Sequence, residues 1–336
     1  MKKIQWWLRL LLSSGLVVFL LYTVDVGETL AVLIHGQPIY LFLAFIIALG
    51  DRVLMAYKWT LLLKPKGIRL PMTSAIGTYW VSSFLGVFLP ATVGSDALRV
   101  YAVVRGGYGT ADVISSIVIE RALGFIALFT FVLVSIILSI AVFGQHFFSG
   151  MWNLFGIFAA LLMLCTAAVY LSLNTAVLRR LNTAVVRRGV HVEHHKFVAK
   201  ARELYQSYAA YRHYKATLFT FLALSLIETL FPLFWTYFLA LAFNIHVPLL
   251  YFFILVPITL VLVRLPISLD GFGIQEGAFV YFLGLIGVAR SEAFSLGLGS
   301  HILAIVSLLP GGLLYSVCGL SMLSQKPGRE SVSEVQ

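Results

Sequence analysis

Six uninterrupted apolar stretches, each long enough to cross a lipid bilayer, leave this chain few ways to fold. They are Leu8–Val24, Pro38–Tyr57, Ala111–Phe143, Met151–Leu173, Ala216–Phe243 and Ala293–Leu323. A spanning helix needs about 20 mostly apolar residues to match a hydrocarbon core about 30 Å thick. Two further stretches are apolar but broken: Met72–Val104, interrupted at Pro90 and Gly94, and Leu249–Val288, interrupted at Pro266, Gly271 and Gly273. The expected fold is an all-α integral membrane protein, a polytopic bundle with about six to eight spans. Only 11% of residues are charged, against roughly a quarter in soluble domains. The apolar segments use most of the chain, so residues 1–336 are expected to form a single transmembrane domain without a soluble catalytic partner.

Loop charge sets the expected topology, because cytoplasmic loops carry an excess of Lys and Arg. Lys2, Lys3 and Arg9 precede the first apolar run and no small-residue cleavage site follows, so this run is expected to be a retained helix with its N-terminus inside. Lys58, Lys64, Lys66 and Arg69 place the loop after the second helix inside. The stretch 174–215 holds nine basic residues against Glu193 and Glu203; it is expected to be a basic cytoplasmic loop that attracts anionic lipid headgroups. This concentration accounts for most of the net charge of +10, which is therefore no sign of nucleic-acid binding. Lys326 and Arg329 put the tail 324–336 inside as well. The expected location is the cell inner membrane, multi-pass, with both termini cytoplasmic.

Parity then constrains the broken stretches. Met72–Val104 lies between two inside loops that already enclose two spans, so it enters from the cytoplasm and returns, or crosses twice. Leu249–Val288 enters from the outer face and returns there, or crosses twice. The breaks resemble each other: LPATVGSDALR (Leu89–Arg99) and LPISLDGFGIQEGA (Leu265–Ala278) each run Leu-Pro, glycine turn, acid, apolar helix. Two such helical hairpins of opposite entry are the trace of an inverted repeat, with interrupted helices meeting around a substrate near the midplane. Pro removes an N–H and Gly releases the helical geometry. A broken backbone persists in lipid only where protein or a wet cavity satisfies it.

Ionisable residues within the apolar segments point the same way: Asp51, Arg52, Asp96, Arg99, Glu120, Arg121, Glu228, Arg264, Asp270 and Glu276. Each costs on the order of 3 kcal/mol at a helix centre. Asp96 and Arg99 share a helical face, which fits a structural ion pair as well as a substrate role. Glu120 and Arg121 are adjacent and point apart, so at least one needs a partner on another helix. Arg264, just before the second Leu-Pro, is the strongest candidate for gripping a phosphate, followed by Arg99 and Arg121. Asp51 and Arg52 are expected close to the cytoplasmic interface, where Arg52 fits a snorkelling role, and Glu228 fits a solitary, protonated core acid.

Other signals are weaker. His191–His195 (HVEHH) has metal-like composition but lies in a solvated loop without a second ligand cluster, so neither a metal nor a cofactor is expected. Asp25 and Glu28 after the first helix fit a membrane glycosyltransferase, yet two acids in a short loop are ordinarily solvation. His301 suits a structural hydrogen bond or a functional role equally. Gly271–Gly277 follows no strand, so it is no dinucleotide fingerprint. Cys165 and Cys318 sit in apolar runs as small hydrophobes, and no Ser-His-Asp or Cys-His constellation is evident.

With its pieces FLPATVGSDALR (Phe88–Arg99), IERALGF (Ile119–Phe125) and LPISLDGFGIQEGAF (Leu265–Phe279) in order, the chain resembles the flippase-like membrane region of lysylphosphatidylglycerol synthases and its stand-alone relatives. The resemblance spans nearly the whole chain. It implies a bundle that moves an anionic phospholipid, an aminoacyl-phospholipid or a polyprenyl-linked sugar between leaflets, with Pro90, Gly94, Asp96, Arg99, Glu120, Arg121, Pro266, Gly271, Gly273 and Glu276 lining or shaping the path. The synthases continue into a large soluble domain, whereas this sequence stops soon after its last apolar run, so a transporter rather than a synthase is expected. The expected substrate-binding set is Asp96, Arg99, Glu120, Arg121, Arg264, Asp270 and Glu276. A membrane-embedded glycosyltransferase or lipid-modifying transferase, and an accessory subunit of a cell-envelope assembly system, are the competing functions.

Overall fold

The computed structural model describes residues 26–87, 93–143, 151–174, 196–265, 268 and 271–318. Among them the chain is helical throughout, without a strand, as an all-α polytopic membrane protein requires. The helices are α1 (Val26–Ile34), α2 (Pro38–Leu63), α3 (Met72–Val87), α4 (Val93–Arg105), α5 (Thr110–Phe143), α6 (Met151–Leu173), α7 (Lys196–Ala210), α8 (Lys215–Glu228), α9 (Leu230–Ala242), α10 (Leu249–Arg264), α11 (Ile274–Gly284), α12 (Arg290–Val306) and α13 (Leu309–Cys318). Five of the described helical segments are long and apolar enough to cross a membrane: Pro38–Lys66, Thr110–Val142, Trp152–Leu173, Lys215–Ala242 and Arg290–Val317. The first expected span, Leu8–Val24, lies outside the described residues.

Two of these spans contain an interruption that the apolar pattern hid. α8 ends at Glu228, four residues before Pro232, and α12 ends at Val306, four residues before Pro310. Proline at position i removes the hydrogen bond to the carbonyl at i−4 and its ring presses on that carbonyl. Each helix therefore stops at the residue whose acceptor is lost, then resumes within one or two residues as α9 or α13. The expected helix Pro38–Tyr57 is also longer than its charge pattern suggested: α2 begins on Pro38 and runs through Lys58 to Leu63, and a short 3-10 turn ends it at Gly67 with φ 71°.

The broken stretches form helical hairpins. α3 and α4, of 16 and 13 residues, are about 24 and 20 Å long at 1.5 Å per residue, each short of the bilayer core. They pack on each other so closely that a Cβ on Gly86 would lie 2.8 Å from that of Ser95. The break itself, with Pro90, lies outside the described residues. Gly94, expected to form part of it, instead stands in the first turn of α4; its role is helical, because Val93 already begins the helix. The second hairpin joins α10 to α11. Its turn brings Gly271, at φ 83°, against Val263, where a Cβ would stand 2.6 Å from the valine methyl, and Gly273, at φ 81°, caps α11. Both conformations are open to glycine at little cost. Pro266 and Asp270 lie outside the described residues.

The largest core joins α2, α9, α10, α11 and α12. Ala44, Ala48 and Ala240 are fully buried there, and such small residues let membrane helices approach closely. A second core of Ala56, Trp59, Leu63, Ile68, Tyr79, Val103 and Val113 supports the charged residues described below. α6 turns Trp152, Ile157, Met163, Leu164 and Tyr170 outward, as expected of a lipid-facing helix. The later part of the stretch expected as a basic loop is the helix α7, followed by a 3-10 turn, Tyr211–His213; Tyr205 and Tyr208 tie α7 to Ser172 at the end of α6.

α13 crosses α3 in direct backbone contact: a Cβ on Gly311 would stand 2.3 Å from the carbonyl oxygen of Trp80. Gly311→Ala is therefore expected to force the helices apart and cost about 1–3 kcal/mol. Gly156→Ala, in a helix position with open space around it, should be neutral or slightly stabilising. Unfolding of both variants in one detergent, by titration with a denaturing surfactant, checks the contrast.

Candidate functional site

The first turn of α4 presents Asp96 and, three residues on, Arg99. An acid in a first turn complements the helix dipole, and the i,i+3 spacing lets the arginine reach back: Arg99 Nη2 donates to Asp96 Oδ1 at 2.6 Å. α5 supplies Glu120 and Arg121, which meet α4 from the other side. Arg99 Nη1 donates to both carboxylate oxygens of Glu120, at 2.9 and 3.1 Å. Arg121 Nε donates to Asp96 Oδ2 at 2.7 Å, with its Nη2 at 2.5 Å from the same oxygen. The four side chains thus alternate in sign: Arg121, Asp96, Arg99, Glu120. The sequence required one partner on another helix for the Glu120–Arg121 pair; both residues find theirs on α4.

Burial grades along this series. The Arg99 side chain is 5% exposed and that of Arg121 is 46% exposed. Arg99 also lies over the rings of Tyr79, at 4.7 Å, and Trp59, at 5.1 Å, so its charge is spent inside the protein. Arg121, by contrast, keeps nearly half of its side chain exposed.

The second hairpin reaches the same place. Arg264, the last residue of α10, is exposed, and its guanidinium sits 5.5 Å from the centre of the Phe125 ring, one turn along α5 from Arg121. It is near enough to Arg121 for the two charges to repel, and it is attracted by Asp51. Among the described residues it makes no ion pair within 4.0 Å. Residues flanking the two breaks therefore converge on the Glu120–Phe125 segment of α5.

Glu276 occupies a different position. It is 1% exposed, accepts the Gly273 N–H at 2.7 Å and pairs with His301 Nδ1 at 3.1 Å. His301 in turn stacks on Phe272, with ring centres 3.8 Å apart. Glu276 and His301 join Gly273 to α12, and among the described residues none of the hydrogen bonds of Glu276 goes to an arginine. His191–His195 and Asp25 lie outside the described residues, and among the described residues no group of three His, Cys, Asp or Glu side chains forms a metal cluster.

A model of the lysylphosphatidylglycerol synthase transmembrane region matches residues 6–311. The chain belongs to that family. The lysylphosphatidylglycerol synthase match encloses both hairpins and every ionisable residue of the site. No individual curated protein matches the sequence.

Several residues that build the site in this member of the family were placed elsewhere by sequence reasoning. Lys58, taken as part of an inside loop, is buried within α2, paired with Glu228 and hydrogen-bonded to Ser225 Oγ at 2.8 Å. Glu228 is accordingly not solitary. The pairing crosses 170 positions of sequence, and no local pattern announces it. Asp51, placed near the interface, is 4% exposed. Its seven-residue spacing from Lys58 was legible as one helix face, but the depth of that face was not. Arg52 is half-buried, its Nε donating to the buried Ser307 Oγ at 3.5 Å. Tyr79 and Trp59 carried no signal beyond apolar periodicity.

Proposed function

We propose that the protein is a translocase that carries the phosphate-bearing headgroup of a lipid between leaflets, the cargo being an anionic phospholipid, its aminoacyl derivative or a polyprenyl-linked sugar. The supporting observation is the meeting of Arg264 with Arg121 inside a membrane bundle. Two guanidinium groups that repel each other are relieved by an anion between them, and guanidinium forks match phosphate oxygens in charge and geometry. Arg99, Asp96 and Glu120 act beneath them as the charge-balanced support that fixes Arg121. Acyl chains stay in the bilayer while the headgroup passes along α5, between the arms of the two hairpins. Entry of the hairpins from opposite faces makes the path accessible from either leaflet in turn.

The proposed setting is the inner membrane, with the termini and α7 on the cytoplasmic side. In support, Lys66 reaches α7 directly, donating to Ser207 Oγ at 2.8 Å while Ser207 donates to Asp112 at 2.6 Å. Two basic segments that independently read as inside therefore share one end of the bundle. Lys200 and Arg202 on α7 would face anionic headgroups there.

The test is headgroup flip in proteoliposomes, followed with labelled phosphatidylglycerol and a membrane-impermeant quencher. Arg264→Ala and Arg121→Ala are each expected to slow flip at least about tenfold, equivalent to ~1.4 kcal/mol, while Ile157→Ala on the lipid-facing helix leaves it unchanged. Wild-type flip rates in both arginine variants would remove this site assignment.

A further inference from the structure

Among the described residues, Asp51 is the one acid of the bundle's interior whose position the proposed site leaves unexplained. It stands near the middle of α2, 4% exposed, and its Oδ1 is buried without a hydrogen-bond partner. The charges acting on it are all positive: Arg52 and Lys58 on its own helix and Arg264 on α10. The remaining groups on helices packed against α2 are otherwise engaged. Glu228 on α8 is paired with Lys58, Glu120 on α5 and Tyr79 on α3 bracket Arg99, and His301 on α12 is held by Glu276. α9 presents the apolar ring of Phe231 beside Gly50.

A buried carboxylate without a hydrogen-bond donor is costly, and gaining a proton is the least expensive remedy. The ionised form, by contrast, is a negative charge near enough to attract Arg264 as well as Arg52 and Lys58. These two states have opposite consequences for an anion. Ionised Asp51 competes with a phosphate for the same guanidinium; protonated Asp51 leaves Arg264 uncompensated and ready for it. Proton and phosphate therefore favour each other's binding, and by linkage the coupling is reciprocal.

We infer that Asp51 is a proton-binding site coupled to anion capture at Arg264, so that the headgroup crosses together with a proton. The step is a simple protonation: an O–H bond forms on the carboxylate as water delivers the proton on the loading side, and breaks as water removes it on the other. The inference rests on the translocase proposal for its anion, but not for its proton.

Two measurements on the full-length protein in lipid test it. In the first, binding of short-chain phosphatidylglycerol is followed from neutral to acidic pH. Wild-type affinity is expected to tighten as pH falls, at most about tenfold per pH unit, the limit for one linked proton. Asp51→Asn, neutral at every pH, should hold the acid-limit affinity throughout, and Asp51→Glu should restore the slope. An equal slope in wild type and Asp51→Asn overturns the coupling while leaving the translocase proposal standing. In the second, pH-difference infrared spectra are recorded without lipid ligand. A carboxylic C=O band that appears on acidification and is missing in Asp51→Asn is expected. If Asp51→Asn retains every such band, Asp51 is not a proton site. If that band is present and wild type binds no phosphatidylglycerol at any pH, the proton site stands and the anion it was coupled to is wrong.

Discussion

Arg99→Met is expected to destabilise the protein by about 3–5 kcal/mol, the usual consequence of removing one partner from a buried ionic network. The size follows from what is left behind. Arg99 makes three hydrogen bonds, one to Asp96 and two to Glu120, and it separates these two carboxylates. Without it, Asp96 keeps Arg121, but Glu120, 15% exposed, loses its ion-pair partner and keeps only the more distant attraction of Lys58, and the methionine offers Tyr79 and Trp59 no cation. Arg99→Lys should recover little. A single ammonium cannot serve two carboxylates through the fixed fork that a guanidinium provides. Adding Glu120→Gln to Arg99→Met should recover a measurable part of the loss, because it removes the orphaned charge. Surfactant-titration unfolding of the three variants checks the order. An Arg99→Met protein within about 1 kcal/mol of wild type would show the cluster to be wet and loosely paired rather than a buried support.

What the sequence made legible, and what it hid, divides along one physical line. Features set by a local run of residues were readable. Met151–Leu173 begins and ends where its apolar run does, because nothing in it needs a distant partner. The Asp96–Arg99 pair was visible as an i,i+3 spacing. The interruptions at Glu228 and Val306 were readable too, from Pro232 and Pro310 four residues on, but unbroken hydropathy masked them. Features that depend on a partner far along the chain were not readable. Lys58 looked like the end of a helix because a lysine is costly in lipid, and only Glu228, brought alongside by the packing of α8 on α2, makes its burial tolerable. Asp51 was placed near the interface by the same rule, one that holds for isolated charges and fails for clustered ones. Glu276 follows the same division: the sequence offers an acid in the second break, and only the turn geometry shows its carboxylate capping the Gly273 N–H.

The Lys58–Glu228 pair separates structural from transport roles among the buried charges. Lys58→Met alone should cost about 3–5 kcal/mol, since it leaves Glu228 ionised or forces it to take up a proton in an apolar setting. Glu228→Leu alone should cost a similar amount by removing the paired carboxylate and leaving the ammonium with Ser225, the face of Phe221, 4.7 Å away, and the more distant Glu120 and Asp51. Replacing both together removes the two desolvated charges at once, and such exchanges are often neutral or stabilising when the new side chains pack. The double variant is therefore expected within about 1 kcal/mol of wild type, giving a coupling energy above that of ordinary neighbouring residues. Its flip rate then carries the functional answer. Lys58 also bears on Asp51, so a double variant that folds and flips normally, but whose pH response is displaced, would assign the pair to tuning that acid. If the double variant is as unstable as either single change, the two residues are held by other contacts and the ion pair is incidental to the fold.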